Sequence, residues 1–244
     1  MPTISIKAEE IFNIAGFGVT NGLITAAIIL VLLFVIAATL KSKIKLLPGT
    51  FQNMVELGIE KFLGLMESIL GSSKKAEKYL PFIATLFIFI LFSNWIGLFP
   101  GVGSIGWTHN GEFAPYLRAP SSDLNFTLML ALVSVILTNI FAFREIGFKA
   151  HLSKYFNFKG PIDFFVGILE IISEFAKIIS FSFRLFGNIF AGEVLLLIIA
   201  FLLPMAGPIP FIFLEVFVGF IQAFVFSMLS LVFLGTHLQH ETAH

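Results

Sequence analysis

The sequence contains no cysteine and few charged residues, and each of these shortages excludes a class of protein. Without cysteine there are no disulfide bonds, thiolate metal sites or S-acylated positions. Charged residues make up 12% of the chain, whereas soluble domains average about 25%, which excludes an ordinary soluble enzyme. Lysine plus arginine and aspartate plus glutamate each number 15. No net charge attracts a polyanion, so no nucleic-acid partner is expected.

The chain is instead rich in long apolar runs. Of its 244 residues 57% are hydrophobic, 32 are phenylalanine, and the mean hydropathy is +0.97. A membrane-spanning helix needs about 20 mainly apolar residues. The runs therefore predict an all-α polytopic membrane protein, a single membrane domain over 1–244 in contact with lipid. Its five predicted crossings are 21–40, 79–99, 124–143, 161–203 and 211–238, and the last two flank a turn rich in proline and glycine.

The segment 51–70, between the first two crossings, has a different pattern. Apolar residues such as Phe51, Met54 and Phe62 recur at helical spacing, while Glu60 and Glu67 fall mostly on the other side. This pattern predicts an amphipathic helix. Such a helix lies along a membrane surface or packs against a soluble partner, and the pattern leaves both possibilities open.

Basic residues are concentrated on one side of the predicted membrane. They follow the first and third crossings, at Lys41, Lys43, Lys45, Lys61, Lys74, Lys75, Lys78, Arg144, Lys149, Lys154 and Lys159. Only Lys7 and Arg118 fall on the opposite side. By the positive-inside rule we expect the N-terminus outside and the C-terminus in the cytoplasm. The histidines near that end, His237, His240 and His244, are expected to form a short polar tail with no metal site.

The segment 161–203 is too long for an upright crossing. As one helix it would be about 65 Å long, whereas the hydrocarbon core is about 30 Å thick. Average tilts of about 20° do not absorb that difference. We therefore expect 161–203 and 211–238 to form an oblique hairpin that curves around another body.

Polar side chains in this hairpin are ordered. Since each helical residue advances about 100°, one narrow arc of the first helix holds Glu170, Glu174, Lys177, Arg184 and Asn188. Glu193 points to roughly the opposite side. On the second helix Glu215 and Gln222 share a face because they are two turns apart. The pattern predicts two polar systems that are reached from different sides.

Arg184 lies in the middle of a predicted crossing, where a charge is retained only with a partner or a function. One interpretation is an ion pair within the chain, to Glu170, Glu174 or Glu193. The other is that Arg184 faces a carboxylate of a different protein. Because arginine keeps its proton while carboxylates exchange theirs, the second interpretation describes a proton path with a fixed barrier in it.

Residues 182–193, SFRLFGNIFAGE, resemble the signature of subunit a of F-type ATP synthases, RLFGN followed by AGE. Further motifs agree in order. Residues 119–127 are similar to the family's PS-x-D-x-N-x-T pattern, Glu170 with Lys177 resembles the approach to the signature, and residues 221–226 resemble the QAF-x-F motif of the last helix. The similarity is strong from Pro120 onward and weaker before Leu80.

The resemblance implies a proton-translocating stator subunit, without catalysis of its own and without a cofactor, in a bacterial plasma membrane. Its implied partners are a ring of c subunits and the subunit b stalk of the ATP synthase complex. Arg184 would face the ring carboxylate and separate two half-channels, flanked by Asn188 and Gln222. The outer half-channel would contain Glu193 and Glu215, with Asp123 and Asn125 at its mouth, and the inner one Glu170, Ser173, Glu174 and Lys177.

Several alternatives stay open at this point. Asp123 also suits the cap of the third crossing, and Gln222 suits an interhelical hydrogen bond. Either Glu193 or Glu215 could exchange the proton, and the carried ion could be sodium, whose oxygen ligands would lie mainly on the ring. A proton-coupled secondary transporter is the alternative function, although the sequence lacks the internal repeat typical of that class. An intramembrane enzyme would need a paired base, nucleophile or metal motif, which we do not find.

Overall fold

The computed structural model describes residues 9–14, 17–45, 48–99, 101–103, 105–109, 112–147, 160–204 and 206–239. Within these ranges helices predominate, and five of them are long and apolar enough to cross a membrane. The predicted all-α polytopic fold is confirmed. Some residues used to predict orientation and the polar tail lie outside the described residues, namely Lys7, Lys149, Lys154, Lys159, His240 and His244.

Six helices form the body of the protein. In chain order they are α1 (Asn21–Lys43), α2 (Thr50–Leu70), α3 (Ser73–Trp95), α4 (Leu124–Ile146), α5 (Pro161–Leu202) and α6 (Pro208–Gln239). Two short antiparallel hairpins precede α1 and α4, formed by β1 (Glu10–Ile14) with β2 (Phe17–Thr20) and β3 (Gly106–His109) with β4 (Glu112–Pro115). Single 3-10 turns occupy Ile96–Leu98 and Pro120–Ser122.

The helix ends follow local backbone chemistry. Thr20 caps α1 by accepting a hydrogen bond from the backbone N–H of Leu23. α5 and α6 both begin at a proline, which suits the first helical turn because its missing N–H has no partner there anyway. α2 ends at Gly71, where φ is 67°. A glycine adopts this left-handed conformation without steric cost.

The amphipathic helix α2 divides into two halves. Its C-terminal half packs into the protein, where Met66 and Leu70 are buried in a cluster with α3 and α6 that also contains Ala76, Tyr79, Ile83, Leu231, Leu234 and Leu238. Its N-terminal half leaves Phe51 and Met54 exposed. One half is therefore held by the helix bundle, and the other is available to lipid or a partner.

A second apolar cluster fixes which way α5 faces. Phe181, Leu185 and Ile189 follow one another at intervals of one turn and are all buried. They pack against residues of α3, α4 and α6, namely Ile90, Ala131, Ala223 and Phe226, with Ala119 at the edge. The small side chains of Ala131 and Ala223 let the helices approach closely. The opposite face of α5 is therefore directed away from the bundle.

Hydrogen bonds between helices add to this packing. Thr127 of α4 contacts Ser182 of α5 at 3.1 Å between their hydroxyl oxygens. The Nδ2 of Asn94 donates to the carbonyl of Gly219 at 2.8 Å, and the indole of Trp95 donates to the carbonyl of Val216 at 3.0 Å. The bonds of Asn94 and Trp95 hold the end of α3 against the first half of α6.

Candidate functional site

Arg184 lies on the uncovered face of α5. It is exposed, as are Phe183, Gly187 and Asn188 beside it. Its guanidinium donates one long hydrogen bond, 3.4 Å, to the hydroxyl of Ser180. It makes no ion pair with any residue that the structure describes. The interpretation in which Arg184 pairs with a glutamate of its own chain is therefore not observed, and its charge is directed outward.

Asn188 and Gln222 differ in their surroundings. The amide of Asn188 donates to the carbonyl of Arg184 at 2.9 Å, one helical turn earlier, and its side chain is exposed. Gln222 is half-buried on α6. Asn188 is thus on the same outward face of α5 as Arg184.

Glu193 forms an ion pair that the sequence does not predict. The Nε of Arg118 lies 3.3 Å from Oε1 of Glu193, and its Nη2 donates to Oε2 at 3.3 Å. The Nη2 contact is a hydrogen bond, whereas the Nε contact is electrostatic because the Nε hydrogen is donated to Ser122. Arg118 comes from the segment before α4, so the pair connects that segment to α5.

Arg118 is held in place by its own neighbours. Its side chain is 8% exposed, and its Nε donates to the hydroxyl of Ser122 at 3.0 Å. Its backbone N–H donates to the hydroxyl of Thr25 in α1 at 3.3 Å. From the sequence alone, Arg118 is only a loop charge on the outer side of the membrane. The available signal is its position directly before the Ala119–Asp123 motif, since an arginine beside apolar segments needs a partner.

Glu215 lies close to this pair without taking part in it. It is 8% exposed, and its Oε1 is buried with no hydrogen-bond partner among the described residues. Its carboxyl group lies against the backbone of Gly192, so close that a methyl group at position 192 would overlap it. Oδ1 of Asn94 is buried and without a partner in the same way.

These residues surround one cavity of about 530 Å³. Its polar lining is Asn94, Arg118, Glu193 and Glu215, which we call the Arg118 cluster, and its other walls are mainly apolar. A cavity of this size holds water where polar groups offer hydrogen bonds. The structure thus brings Glu193 and Glu215 together, as the family resemblance implies, and adds a cation and an amide to them.

A second polar cluster lies at the other end of α5. Glu174 accepts from Lys177 at 2.6 Å and from the amide of Asn139 at 3.4 Å, and it lies 3.3 Å from Nε2 of His237. We call these four residues the Glu174 cluster. Glu170 is adjacent, with its carboxylate in the same group as those of Glu174 and the His237 ring. The Lys177 ammonium supplies the cation for the Glu174 carboxylate.

His237 corrects the expectation of a polar histidine tail. It lies inside α6, 2% exposed, because the helix continues to Gln239. On α6 its ring faces α5, where Nε2 lies 3.3 Å from Oε1 of Glu174. The spacing of histidines along the sequence gives no sign of this, since the contact joins residues 63 positions apart.

The other candidate residues are not members of either cluster. The carboxylate of Asp123 accepts from the backbone N–H of Asn125 at 2.9 Å and caps α4. Asp123 is 6% exposed and does not line the cavity, while Asn125 is exposed. Ser173 is half-buried beside Glu174. The capping role is therefore observed for Asp123.

Residues 21–235 match the family model described as ATP synthase A chain. The chain is 38% identical over 212 residues to an ATP synthase subunit a of Campylobacter concisus, which covers 85% of each chain. It is 33% identical over 230 residues to an ATP synthase subunit a of Moorella thermoacetica, covering 94% of this chain and 96% of the relative. It is 35% identical over 242 residues to an ATP synthase subunit a 1 of Syntrophotalea carbinolica, covering 98% and 93%.

Proposed function

This chain belongs to the ATP synthase A chain family, as its RLFGN motif predicts, and we propose that it forms two offset proton half-channels against a rotating ring of c subunits. The family makes the chain a multi-pass membrane component of an ATP synthase. The two half-channels, the ring contact and the role of each residue are the proposal.

One observation carries the proposal: an outward-facing arginine lies between two separate polar clusters. Along α5, Glu193 is nine residues after Arg184 and Glu174 is ten residues before it. At about 1.5 Å per residue these clusters lie roughly 14 and 15 Å from Arg184 along the helix axis. Protons that enter at one cluster and leave at the other must therefore bypass Arg184, and a moving carboxylate on a neighbouring ring provides that route.

Arg184 acts as the barrier and as the counter-charge. A guanidinium does not release its proton at working pH, so protons cannot hop across it. A ring carboxylate that approaches Arg184 in the low dielectric of the membrane is stabilised as an anion, which drives release of its proton. Asn188, on the same face, and Gln222, on α6, flank this contact.

The Arg118 cluster forms the outer half-channel, with Asp123 and Asn125 near its mouth. Glu193 and Glu215 supply the carboxylates, and the cavity between α3, α5 and α6 supplies the water. The Glu174 cluster forms the inner half-channel together with Glu170 and Ser173. His237 and Asn139 join this set because they contact Glu174.

The partners follow from the two exposed surfaces. The face of α5 that carries Arg184 contacts the ring, and the exposed apolar residues of α1, such as Val31 and Phe34, contact lipid or subunit b. The distribution of basic residues supports an N-terminus outside and a C-terminus in the cytoplasm of a bacterial plasma membrane. ATP is made elsewhere in the complex, and this chain has no catalytic step of its own.

The proposal is tested in two steps. Purification of the tagged chain from its own membranes should recover a small two-span hydrophobic protein with one buried aspartate or glutamate. Vesicles of the same membranes should quench a pH-sensitive dye when ATP is added, without any requirement for sodium. Purification without the small partner, or a carrier activity in the isolated chain, would contradict the proposal, and quenching only in the presence of sodium would change the carried ion.

A further inference from the structure

Both glutamates of the cavity are carboxylates, yet their hydrogen bonding is different. Each oxygen of Glu193 has a guanidinium nitrogen of Arg118 at 3.3 Å. Oε1 of Glu215 has no partner among the described residues, although the side chain is buried. Within one cavity, therefore, the Glu193 carboxylate has a cationic partner, while one oxygen of Glu215 lacks a hydrogen-bond partner.

The surroundings of Arg118 make its pairing durable. Ser122 and Thr25 hold its Nε and its backbone N–H, and its side chain is 8% exposed. A buried guanidinium without an anion carries a large desolvation cost. Protonating Glu193 would remove that anion.

We propose that Arg118 is a positioning residue that commits Glu193 to a fixed ion pair, so that Glu215 is the carboxyl that exchanges protons in this cavity. The inference rests on the proposed function, because it gives the two glutamates of the outer half-channel different roles: Glu193 stays in an ion pair and Glu215 carries the proton. A hydronium ion in the cavity gives its proton to the carboxylate of Glu215 and leaves as water. Glu215 then gives that proton to the ring carboxylate and returns to its anionic form.

The division of roles predicts an unusual genetic relation. Glu193→Gln removes the anion from Arg118 and leaves its guanidinium facing the same cavity as Glu215. We expect the guanidinium then to pair with Glu215, which lines the same cavity, and to occupy its oxygens. Removing Arg118 as well should free Glu215 again, so the second substitution corrects the first.

The test compares variants of the whole ATP synthase in native membrane vesicles, with ATP synthesis driven by an imposed proton gradient. Glu215→Gln should be about 100-fold slower than the wild type, the loss typical of a missing proton-transfer group. Glu193→Gln should be about tenfold slower, and the double variant Arg118→Gln/Glu193→Gln should recover about fivefold over it, since coupled sites are non-additive by such factors. Arg144→Gln, an exposed arginine at the end of α4, is the matched control for loss of a positive charge.

The outcomes separate this inference from the proposed function. Normal synthesis by Glu215→Gln, or no recovery in the double variant, overturns the inference. If Arg184→Ala also leaves synthesis normal, the proposed function fails with it; if Arg184→Ala abolishes synthesis, only the division between Glu193 and Glu215 fails. Should Arg118→Gln prevent assembly, Arg118→Lys with Glu193→Gln replaces it, and this pair should show no recovery because the positive charge remains.

Discussion

Gly192 determines how closely the carboxyl group of Glu215 can approach α5. Glycine in the middle of a helix is normally unfavourable by roughly 0.5–1 kcal/mol relative to alanine. Here the missing side chain leaves the space that the Glu215 carboxyl fills. Glycine at position 192 therefore lowers helix stability slightly but allows the Glu215 carboxyl to lie beside the Arg118–Glu193 pair.

Gly192→Ala should therefore impair proton transport although alanine favours helices. Its methyl group would overlap the Glu215 carboxyl, and overpacking of this kind costs about 1–3 kcal/mol. We expect ATP-driven proton pumping to fall by about tenfold while the complex still assembles. Gly64→Ala in α2, where an added methyl group meets nothing within 4 Å, is the control. Pumping at the wild-type rate by Gly192→Ala would show that Glu215 does not need its observed position.

For single residues, the sequence predicts which face of a helix a side chain lies on. It does not predict contacts between residues that are far apart along the chain. The position of Arg184 on a polar face of α5 follows from helical spacing, and the grouping of Glu193 with Glu215 is implied by the family resemblance. Arg118 and His237 join the clusters through contacts that span 75 and 63 residues. Helical periodicity holds no information about such distant pairs, so tertiary structure is needed to find them.

At the scale of elements, α5 has two chemically distinct faces. The buried face is formed by Phe181, Leu185 and Ile189, and the exposed face by Phe183, Arg184 and Asn188. An exposed arginine within a membrane-spanning helix is expected where another protein or water covers the surface, because a charge that faces lipid is costly. The face that this chain leaves uncovered is therefore the face that we assign to the ring.

Cysteine substitution along α5 tests this assignment. The chain has no cysteine, so each introduced thiol is unique. Phe183→Cys and Ala191→Cys, both at exposed positions, should form disulfide cross-links to cysteines placed on the ring subunit. Leu185→Cys and Ile189→Cys, which are buried against α3, α4 and α6, serve as matched controls and should not. Equal cross-linking from both faces would contradict the assignment.

The sequence predicts the positions of the membrane-spanning helices better than it predicts where each helix begins and ends. Hydropathy locates the apolar part of α3, but the helix starts at Ser73, well before the predicted 79, because helical hydrogen bonding continues into the polar segment that holds Lys74 and Lys75. α4 continues to Ile146 and stops at Gly147, whose φ is 91°. The two β-hairpins lie in segments without sustained alternation, so periodicity gives no sign of them.

At the scale of the whole molecule, the two polar clusters are separated by a mainly apolar core. Between Glu174 and Glu193 the buried side chains of α5 are Phe181, Ser182, Leu185 and Ile189. These pack against the aromatic and small residues of α3, α4 and α6. The buried polar groups here are hydroxyls such as Thr127 and Ser182, which contact each other at 3.1 Å, and the described residues carry no charged side chain in this core. We therefore expect transport across the membrane to depend on the external surface that carries Arg184.

The central claim is that Arg184 both drives proton release from a ring carboxylate and blocks direct passage between the half-channels. Arg184→Ala removes both effects. Arg184→Lys keeps a positive charge but loses the planar fork and can be neutralised by burial, so it should restore coupling only in part. Arg144→Ala, on the exposed end of α4, is the control for loss of an arginine.

The most direct measurement records proton leak and ATP yield together, in vesicles that contain the assembled Arg184→Ala enzyme and receive an imposed proton gradient. Because the barrier and the counter-charge are lost at once, we expect a faster passive leak than in the wild type and no ATP synthesis. Arg144→Ala should show neither change. Coupled synthesis at the normal rate by Arg184→Ala, with a normal leak, would contradict the mechanism.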